Sequence, residues 1–368
     1  MFFSIRGLSH GEPLFSISTK NSITSYKLEE IDIPKIGDEE ILLKVSGCGV
    51  CAGDVKAYHG APSLWGGEGQ PSWIKPPFIP GHEFYGQVVA LGANSKNKYK
   101  LSLGDWVVSE QIIPCGKCWF CLEGNYWMCE LHNIFGFQGK VADGAFAEYI
   151  KLPKNARNYK LPENFPLKVA PYVEPLGCAI HAIERADIQF YDVVVIAGLG
   201  ALGLGMVQVA MLKNPKMLIA IDINVKRLIL AREYGAHVVI NPKEEDSVLK
   251  VKELTNGYGC DVYIQASGHP NGTIQGLQMI RKLGRYIEFS VYNDPVTVDW
   301  SIIGDRKELD IRGAHLSPRS YASAIRFLND GSIKADHIIT HELPLEKFKE
   351  VFHLVEKGEE SIKVVLIP

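Results

Sequence analysis

No strong charge bias marks this chain. Its 368 residues carry 39 Lys plus Arg against 42 Asp plus Glu, a formal net charge of −3. Such a balance creates no whole-protein field that would draw in nucleic acid or an anionic membrane. The start lacks a basic stretch followed by an unbroken apolar run, so no secretory signal is expected and a cytoplasmic setting is. Internal repeats and low-complexity tracts are absent, which excludes solenoids and fibrous arrays. One stretch, residues 193–212, is uncharged and long enough to span a bilayer. Yet it holds Gly198, Gly200, Gly203 and Gly205, and it opens on the β-branched run Val193, Val194, Val195, Ile196. A buried strand, a glycine turn and a buried helix explain it better than a membrane span.

What is present is the composition of a soluble globular protein. Hydrophobic residues make up 46% and charged residues 22%, which excludes a mostly disordered chain. The length exceeds one ordinary core, so two domains are expected. Up to residue 160 or so the texture is β-rich: short apolar runs such as 41–45 and 87–90 sit between Gly, Pro and Asn clusters. Residues 60–80 read as an irregular loop and 94–100 as a solvated lysine-rich loop. From about 174 to 315, strand-like runs at 193–197, 217–221, 237–240, 262–266, 286–289 and 309–311 alternate with helix-length stretches such as 225–234 and 271–282. That alternation implies an α/β domain with a doubly wound parallel sheet. The strand-like tail 362–367 is expected to return to the first domain, because a terminal strand needs a sheet to join.

Four of the eight cysteines crowd into one short segment, Cys115, Cys118, Cys121 and Cys129, spaced C-x2-C-x2-C-x7-C. A disulfide knot suits a small secreted domain, not a long chain of this kind. Four thiolates around one tetrahedral zinc fit better, and such a closed site is structural. An iron–sulfur cluster is the competing metal reading. Cys48, Cys178 and Cys260 fit no ligand pattern and read as buried thiols.

Val193–Ala197 is followed by Gly198, Leu199, Gly200, Ala201, Leu202 and Gly203, a G-x-G-x-x-G after a strand and opening a helix. Gly198 allows the tight turn, Gly200 the approach of a pyrophosphate, and Gly203 the close packing of helix on strand. Asp222 ends the next strand at the expected distance. There it would accept hydrogen bonds from the adenosine ribose and repel a 2′-phosphate, which favours NAD. Lys226 and Arg227 keep NADP open.

The first domain offers Cys51 and Asp54 in G-V-C-A-G-D, and His82 and Glu83 in P-G-H-E. A catalytic zinc takes about three protein ligands and leaves one exchangeable position. Cys51, His82 and a carboxylate, Glu83 or Glu174, could supply them, but the spacing alone does not distinguish them from a core thiol and a surface pair.

These pieces, with the four-cysteine segment, Y-V-E-P-L at 172–176 and V-I-A-G-L-G-A-L-G, resemble the zinc-dependent medium-chain dehydrogenases in order along nearly the whole chain. Within that superfamily the chain is most similar to the polyol dehydrogenases, including sorbitol dehydrogenase. V-C-A-G-D-V-K-A-Y-H-G-A, P-P-F-I-P-G-H-E-F and D-W-S-I-I-G-D-R-K-E-L-D-I-R-G-A-H-L look closest to the erythritol/L-threitol dehydrogenase group. The resemblance implies a GroES-like catalytic domain over 1–174, completed by 317–368, and a Rossmann NAD domain over 175–316. It implies a catalytic zinc at Cys51, His82 and Glu174, with Glu83 coordinating directly or by exchange, and a structural zinc at Cys115, Cys118, Cys121 and Cys129. Asp54 would orient the ligand histidine. Leu202, Asp222 and Arg227 align with cofactor contacts, and Ser290, Val291, Ala314 and His315 with segments bordering the nicotinamide. The implied reaction passes a hydride from a secondary alcohol of a small polyol to NAD, in a homodimer or homotetramer.

One departure stands out. Members of the family usually carry Ser or Thr two residues after the ligand cysteine to relay the substrate proton, whereas this chain has Gly53. His59, Lys56, Tyr58 or a water held by Glu174 could substitute, or Gly53 could make room for a substrate hydroxyl. Competing readings are a simple-alcohol, sorbitol/xylitol or L-threonine dehydrogenase of the same fold, and a non-catalytic NAD-binding protein. A zinc-ribbon nucleic-acid binder lacks its basic stripe.

Overall fold

The chain forms two structural units, described in a computed structural model that covers residues 15–18, 26–67, 71–139, 141–292 and 295–368. One unit holds the described residues up to Glu174 together with Tyr321–Asp330 and Ile339–Pro368; the other holds Pro175–Ser320 and Gly331–Ile338.

The first unit is built on strands β1 (Phe15–Ser18), β2 (Lys27–Glu30), β3 (Ile41–Val50), β4 (Glu83–Leu91), β5 (Trp106–Ser109), β6 (Ile112–Ile113), β7 (Asn133–Ile134), β8 (Tyr149–Leu152) and β9 (Asn158–Lys160). Short helices α1 (Ala52–Tyr58), α2 (Pro62–Trp65), α3 (Ser95–Tyr99) and α4 (Trp119–Leu122) join them, and α5 (Val173–Ala186) opens here. The 94–100 segment expected as a loop therefore contains α3, and the 60–80 loop contains α2.

The other unit contains β10 (Val193–Ala197), α6 (Ala201–Met211), β11 (Met217–Ile221), α7 (Val225–Glu233), β12 (Val238–Ile240), α8 (Ser247–Leu254), β13 (Cys260–Gln265), α9 (Pro270–Met279), β14 (Ile280–Glu288) and β15 (Asp310–Gly313). Its six strands are parallel in the order β12-β11-β10-β13-β14-β15. All five residues of β10 are buried, as expected where helices cover both faces of a sheet. The 271–282 stretch read as one helix ends at Met279. Residues 280–282 instead start β14, and Gly284 lets the chain fold tightly here, since a Cβ on it would lie 2.4 Å from Ile280 Cγ1. Residues 193–212 form a strand and a helix, and no helix among the described residues is long and apolar enough to cross a membrane.

The chain closes with α10 (Tyr321–Asn329), β16 (Ile339–Pro344), α11 (Phe348–Lys357) and β17 (Lys363–Ile367). The last strand enters the first unit's sheet, whose order is β16-β17-β3-β4-β5-β9. One edge of β3 is shared lengthwise: Ile41 to Lys44 pair with β8, and Cys48 to Val50 pair with β17. The other edge takes β4, with Gly49 opposite Glu83. The C-terminal strand thus lies beside the end of β3, where the chain emerges at Cys51.

The β3–β4 pairing leaves no room at Gly86, where a Cβ would approach Lys44 O to 2.4 Å. Backbone cannot yield as a flexible side chain can. Gly86→Ala is expected to destabilise the protein by about 1–3 kcal/mol, read as a lower urea midpoint at unchanged slope. An unchanged midpoint would contradict this packing.

Candidate metal and cofactor sites

Cys51 is held by a reciprocal cap on α1. Its Sγ accepts from Gly53 N at 3.4 Å while its own N donates to Asp54 Oδ2 at 2.9 Å. These bonds fix the thiol at the start of the helix. The other carboxylate oxygen of the fully buried Asp54 lies 3.6 Å from His82 Nδ1, an ion-pair distance longer than a hydrogen bond. Burial works to lower the His82 pKa, but Asp54 and Cys51 outweigh it and hold the imidazole well above its ordinary value. Phe137 tilts against the ring, with centroids 5.5 Å apart.

Glu83 follows directly on β4. The ligand atoms of Cys51, His82 and Glu83 all lie within 4.8 Å of one another, close enough for one metal ion. The donor set, one sulfur, one nitrogen and one oxygen, suits zinc. Glu83 is also clasped by Lys363, whose Nζ donates to Oε1 at 2.7 Å, to Oε2 at 2.6 Å and to Val50 O at 3.1 Å. Glu83 is 2% exposed and Lys363 5%. Burial pulls the lysine pKa down; Glu83, and the nearby Cys51, more than restore it. Gly49 is obligatory here, because a Cβ would fall 2.2 Å from Glu83 Oε2.

Glu174, in the first turn of α5, is not part of that trio. Its Oε1 accepts from Gln111 Nε2 at 2.5 Å. His59 caps the far end of α1, where its Nε2 pairs with Glu356 of α11 at 3.2 Å, and it is half-exposed. Tyr58 packs edge-on against Tyr26 and Phe352. Lys56 is half-buried, and desolvation draws its pKa down. A Cβ at Gly53 would meet Cys51 Sγ at 3.7 Å and Phe137 Cζ at 3.9 Å, ordinary contacts, so no crowding demands glycine there. Two residues now seen at the site, Lys363 and Gln111, escaped the sequence reading. Their signals were faint: a lysine opening an apolar terminal run, and a glutamine amid the hydrophobic residues before the cysteine segment.

In the cysteine segment, Cys115 and Cys121 sulfurs lie 4.0 Å apart, as do those of Cys118 and Cys129. A tetrahedron with bonds of about 2.3 Å has edges of about 3.8 Å. All four are free thiols. Backbone N–H groups of Lys117 and Cys118 point at Cys115 Sγ (3.5 and 3.3 Å) and lower its pKa to about 6, while desolvation pushes Cys121 up to about 12. Four thiolates cannot share this space without a cation. Cys48, Cys178 and Cys260 are buried elsewhere.

In the other unit the fingerprint glycines divide their work. At Gly198, with φ +95°, a Cβ would strike the Ser267 backbone at 2.6 Å; at Gly203 it would strike Gly198 O at 1.8 Å. Nothing lies within 4 Å of a Cβ at Gly200, leaving the N-terminus of α6 open in front, at Ala201 and Leu202. Asp222 directly follows β11, its Oδ2 accepting from Leu199 N (2.6 Å) and its Oδ1 from Asn224 N (2.8 Å). The carboxylate therefore braces the glycine turn. Arg227 lies in the first turn of α7. Ser290 Oγ donates to Gln265 O and accepts from Gly268 N, Val291 is exposed, and Ala314 N donates to Glu288 O. All stand at the carboxyl ends of β10, β11, β14 and β15, where doubly wound sheets bind ligands.

The Glu83–Lys363 pair is expected to be costly to break. Lys363→Met leaves an unpaired buried carboxylate and should destabilise the protein by about 3–5 kcal/mol, with Glu83→Gln in the same chain recovering most of it. A loss below about 1 kcal/mol in urea unfolding would contradict a tight pair.

The alcohol dehydrogenase GroES-like domain model matches residues 37–163 and the zinc-binding dehydrogenase model residues 201–330. An erythritol/L-threitol dehydrogenase of Mycolicibacterium smegmatis is 46% identical over 343 residues, 93% of this chain and 94% of its own length. An L-threonine 3-dehydrogenase of Bacillus licheniformis is 37% identical over 92% of this chain and 94% of its own. Among solved structures, a Sinorhizobium meliloti 1021 protein described as a zinc-binding dehydrogenase and bound to NADP superposes with a TM-score of 0.86. It is 25% identical and covers 97% of this chain and 100% of that one. With both domain models matched in order and that identity along nearly its full length, the chain belongs to the zinc-dependent medium-chain alcohol dehydrogenase family.

Proposed function

We propose that this protein is an NAD-dependent polyol dehydrogenase with two zinc ions per chain, oxidising a secondary alcohol of a four-carbon polyol of the erythritol or L-threitol kind to a ketone. The observation that carries this reading is the convergence of Cys51, His82 and Glu83 within 4.8 Å in a chain 46% identical to an erythritol/L-threitol dehydrogenase. When bound, zinc would acidify the substrate hydroxyl and the nicotinamide would accept the hydride. The chain's own residues do the rest. Cys51, His82 and Glu83 would hold the metal, with Asp54 orienting the imidazole. Lys363 offsets the charge of Glu83, whose oxygens keep lone pairs for a metal. Gly53 offers no hydroxyl and His59 is engaged by Glu356, so the alcohol proton is assigned to Glu174 or a water on it. Gly198, Gly200 and Gly203 admit the pyrophosphate to the N-terminus of α6. Leu202 and Arg227 flank the adenosine half, and Ser290, Val291 and Ala314 the nicotinamide. Cys115, Cys118, Cys121 and Cys129 hold the second, structural zinc.

Asp222 favours NAD, since a 2′-phosphate beside its carboxylate would be repelled. NADP is the second reading, supported by Arg227 and by the NADP in the Sinorhizobium meliloti relative. An L-threonine dehydrogenase is the alternative reading, supported by the relatives 37% identical. A cytosolic dimer or tetramer fits the free thiols and the partly exposed Ile311 on the edge strand β15.

The test is NADH formation by purified protein on erythritol, L- and D-threitol, xylitol, sorbitol, ethanol and L-threonine. The highest kcat/KM is expected on a four-carbon polyol; preference for ethanol or L-threonine would overturn the polyol assignment. Cys51→Ser should abolish turnover and leave NAD binding unchanged. Cys118→Ser should instead lower metal content by one ion per chain and reduce Tm. Full activity in Cys51→Ser would refute the metal role given to Cys51.

A further inference from the structure

A closed ring of hydrogen bonds joins the carboxyl ends of β13 and β14 through side chains outside the glycine fingerprint. Gln265 and Glu288 end their strands and lie opposite one another. The Gln265 amide is buried and its orientation is fixed. Its Oε1 accepts from Ser267 N at 3.1 Å and Ser267 Oγ at 2.9 Å, so its Nε2 faces Thr273 Oγ1 at 3.3 Å. Thr273 Oγ1 lies 2.6 Å from Tyr292 OH, and Tyr292 OH donates to Glu288 Oε2 at 2.7 Å. The other oxygen, Glu288 Oε1, accepts from Ser290 N at 2.8 Å, and Ser290 Oγ donates back to Gln265 O at 3.1 Å. A Cβ at Gly272 would fall 2.4 Å from Gln265 Nε2, so glycine leaves room for the amide.

The ring has one direction. An ionised carboxylate only accepts. Tyr292 gives its single hydrogen to Glu288, so the Thr273 hydroxyl donates to Tyr292 and accepts from Gln265. Burial works to raise the Glu288 pKa and these donors work to lower it; burial prevails. A neutral glutamine would cost less to bury, but it accepts on one oxygen only. The position calls for two acceptors and no donor. Both oxygens serve one segment. Ser290 and Tyr292 are each held by Glu288, and Ser290 Oγ also accepts from Gly268 N at 3.0 Å. Val291 stands exposed between them. The segment follows β14 at the sheet end where doubly wound folds take their ligands.

We propose that Glu288 is a positioning residue: with one oxygen on the Ser290 amide and the other on the Tyr292 hydroxyl, it sets residues 290–292 in advance in the shape that receives the nicotinamide end of the cofactor. This rests on the reading of that sheet end as an NAD site. Glu288 acts through Ser290 and Tyr292, not on the cofactor itself. A segment already fixed adds no ordering cost to binding, whereas a released one charges that cost to the ligand.

The test is calorimetric titration of the full chain with two probes: NADH, and ADP-ribose, which lacks the nicotinamide. In Glu288→Leu, the NADH Kd should rise by about tenfold, the cost of ordering roughly one backbone residue on binding. The ADP-ribose Kd should stay at the wild-type value. Glu288→Gln keeps an acceptor for Ser290 N and should recover most of the NADH affinity. A merely structural role would lower Tm and leave the ratio of the two affinities where it was. Should Glu288→Leu fail to fold, Tyr292→Phe removes one hydroxyl and should give the same selective loss at about threefold, the worth of one hydrogen bond. A folded Glu288→Leu that binds NADH as wild type does, or that loses NADH and ADP-ribose alike, overturns the proposal and leaves the functional reading intact. Wild type that binds neither probe overturns both.

Discussion

Negative charge, gathered where water is scarce, is the constraint around which the first unit is arranged. Asp54, Glu83 and Glu174 are all nearly buried, and the Cys51 sulfur lies beside them. Charges taken out of water persist only with partners. Each carboxylate has one: Asp54 the Cys51 backbone and His82, Glu83 the Lys363 ammonium, Glu174 the Gln111 amide. The thiol of Cys51 accepts one long bond from Gly53 N. A sulfur, an imidazole and a carboxylate within a few ångströms of one another would be completed by a divalent cation, and the matching domain model is that of zinc-binding dehydrogenases.

The supporting cation comes from the end of the chain. Lys363 opens β17, and β17 pairs with the last residues of β3 directly before Cys51. The site therefore gains its cation only when β17 is in place beside β3. The glycines nearby are not equivalent. Gly49 is required because Glu83 occupies its Cβ position, whereas a Cβ at Gly53 would make only ordinary contacts with Cys51 and Phe137. Glycine at the second position is therefore not a demand of the packing.

Features that are local in sequence were legible without coordinates. The fingerprint glycines, Val193–Ala197, Met217–Ile221 and the four-cysteine segment each announce themselves within a few residues. Pairings across long separations did not. Lys363 meets Glu83 across 280 residues, and Gln111 meets Glu174 across 63. A lysine in a terminal strand reads as a surface residue until the sheet puts it beside β3. His59 drew attention as a histidine near the ligand cysteine, and only the packing of α11 reveals its pairing with Glu356. The 271–282 stretch looked helical because its apolar spacing suits a helix up to Met279, and nothing local signals the turn into β14.

The most direct measurement is diffraction from crystals of the purified protein at the zinc absorption edge. An anomalous peak is predicted at bonding distance, about 2.0–2.3 Å, from Cys51 Sγ and a His82 nitrogen, with a second peak inside the four cysteines. A map with a peak at the cysteine cluster and none at Cys51 and His82, in protein that is active, would contradict the claim that a metal completes this buried cluster of charge.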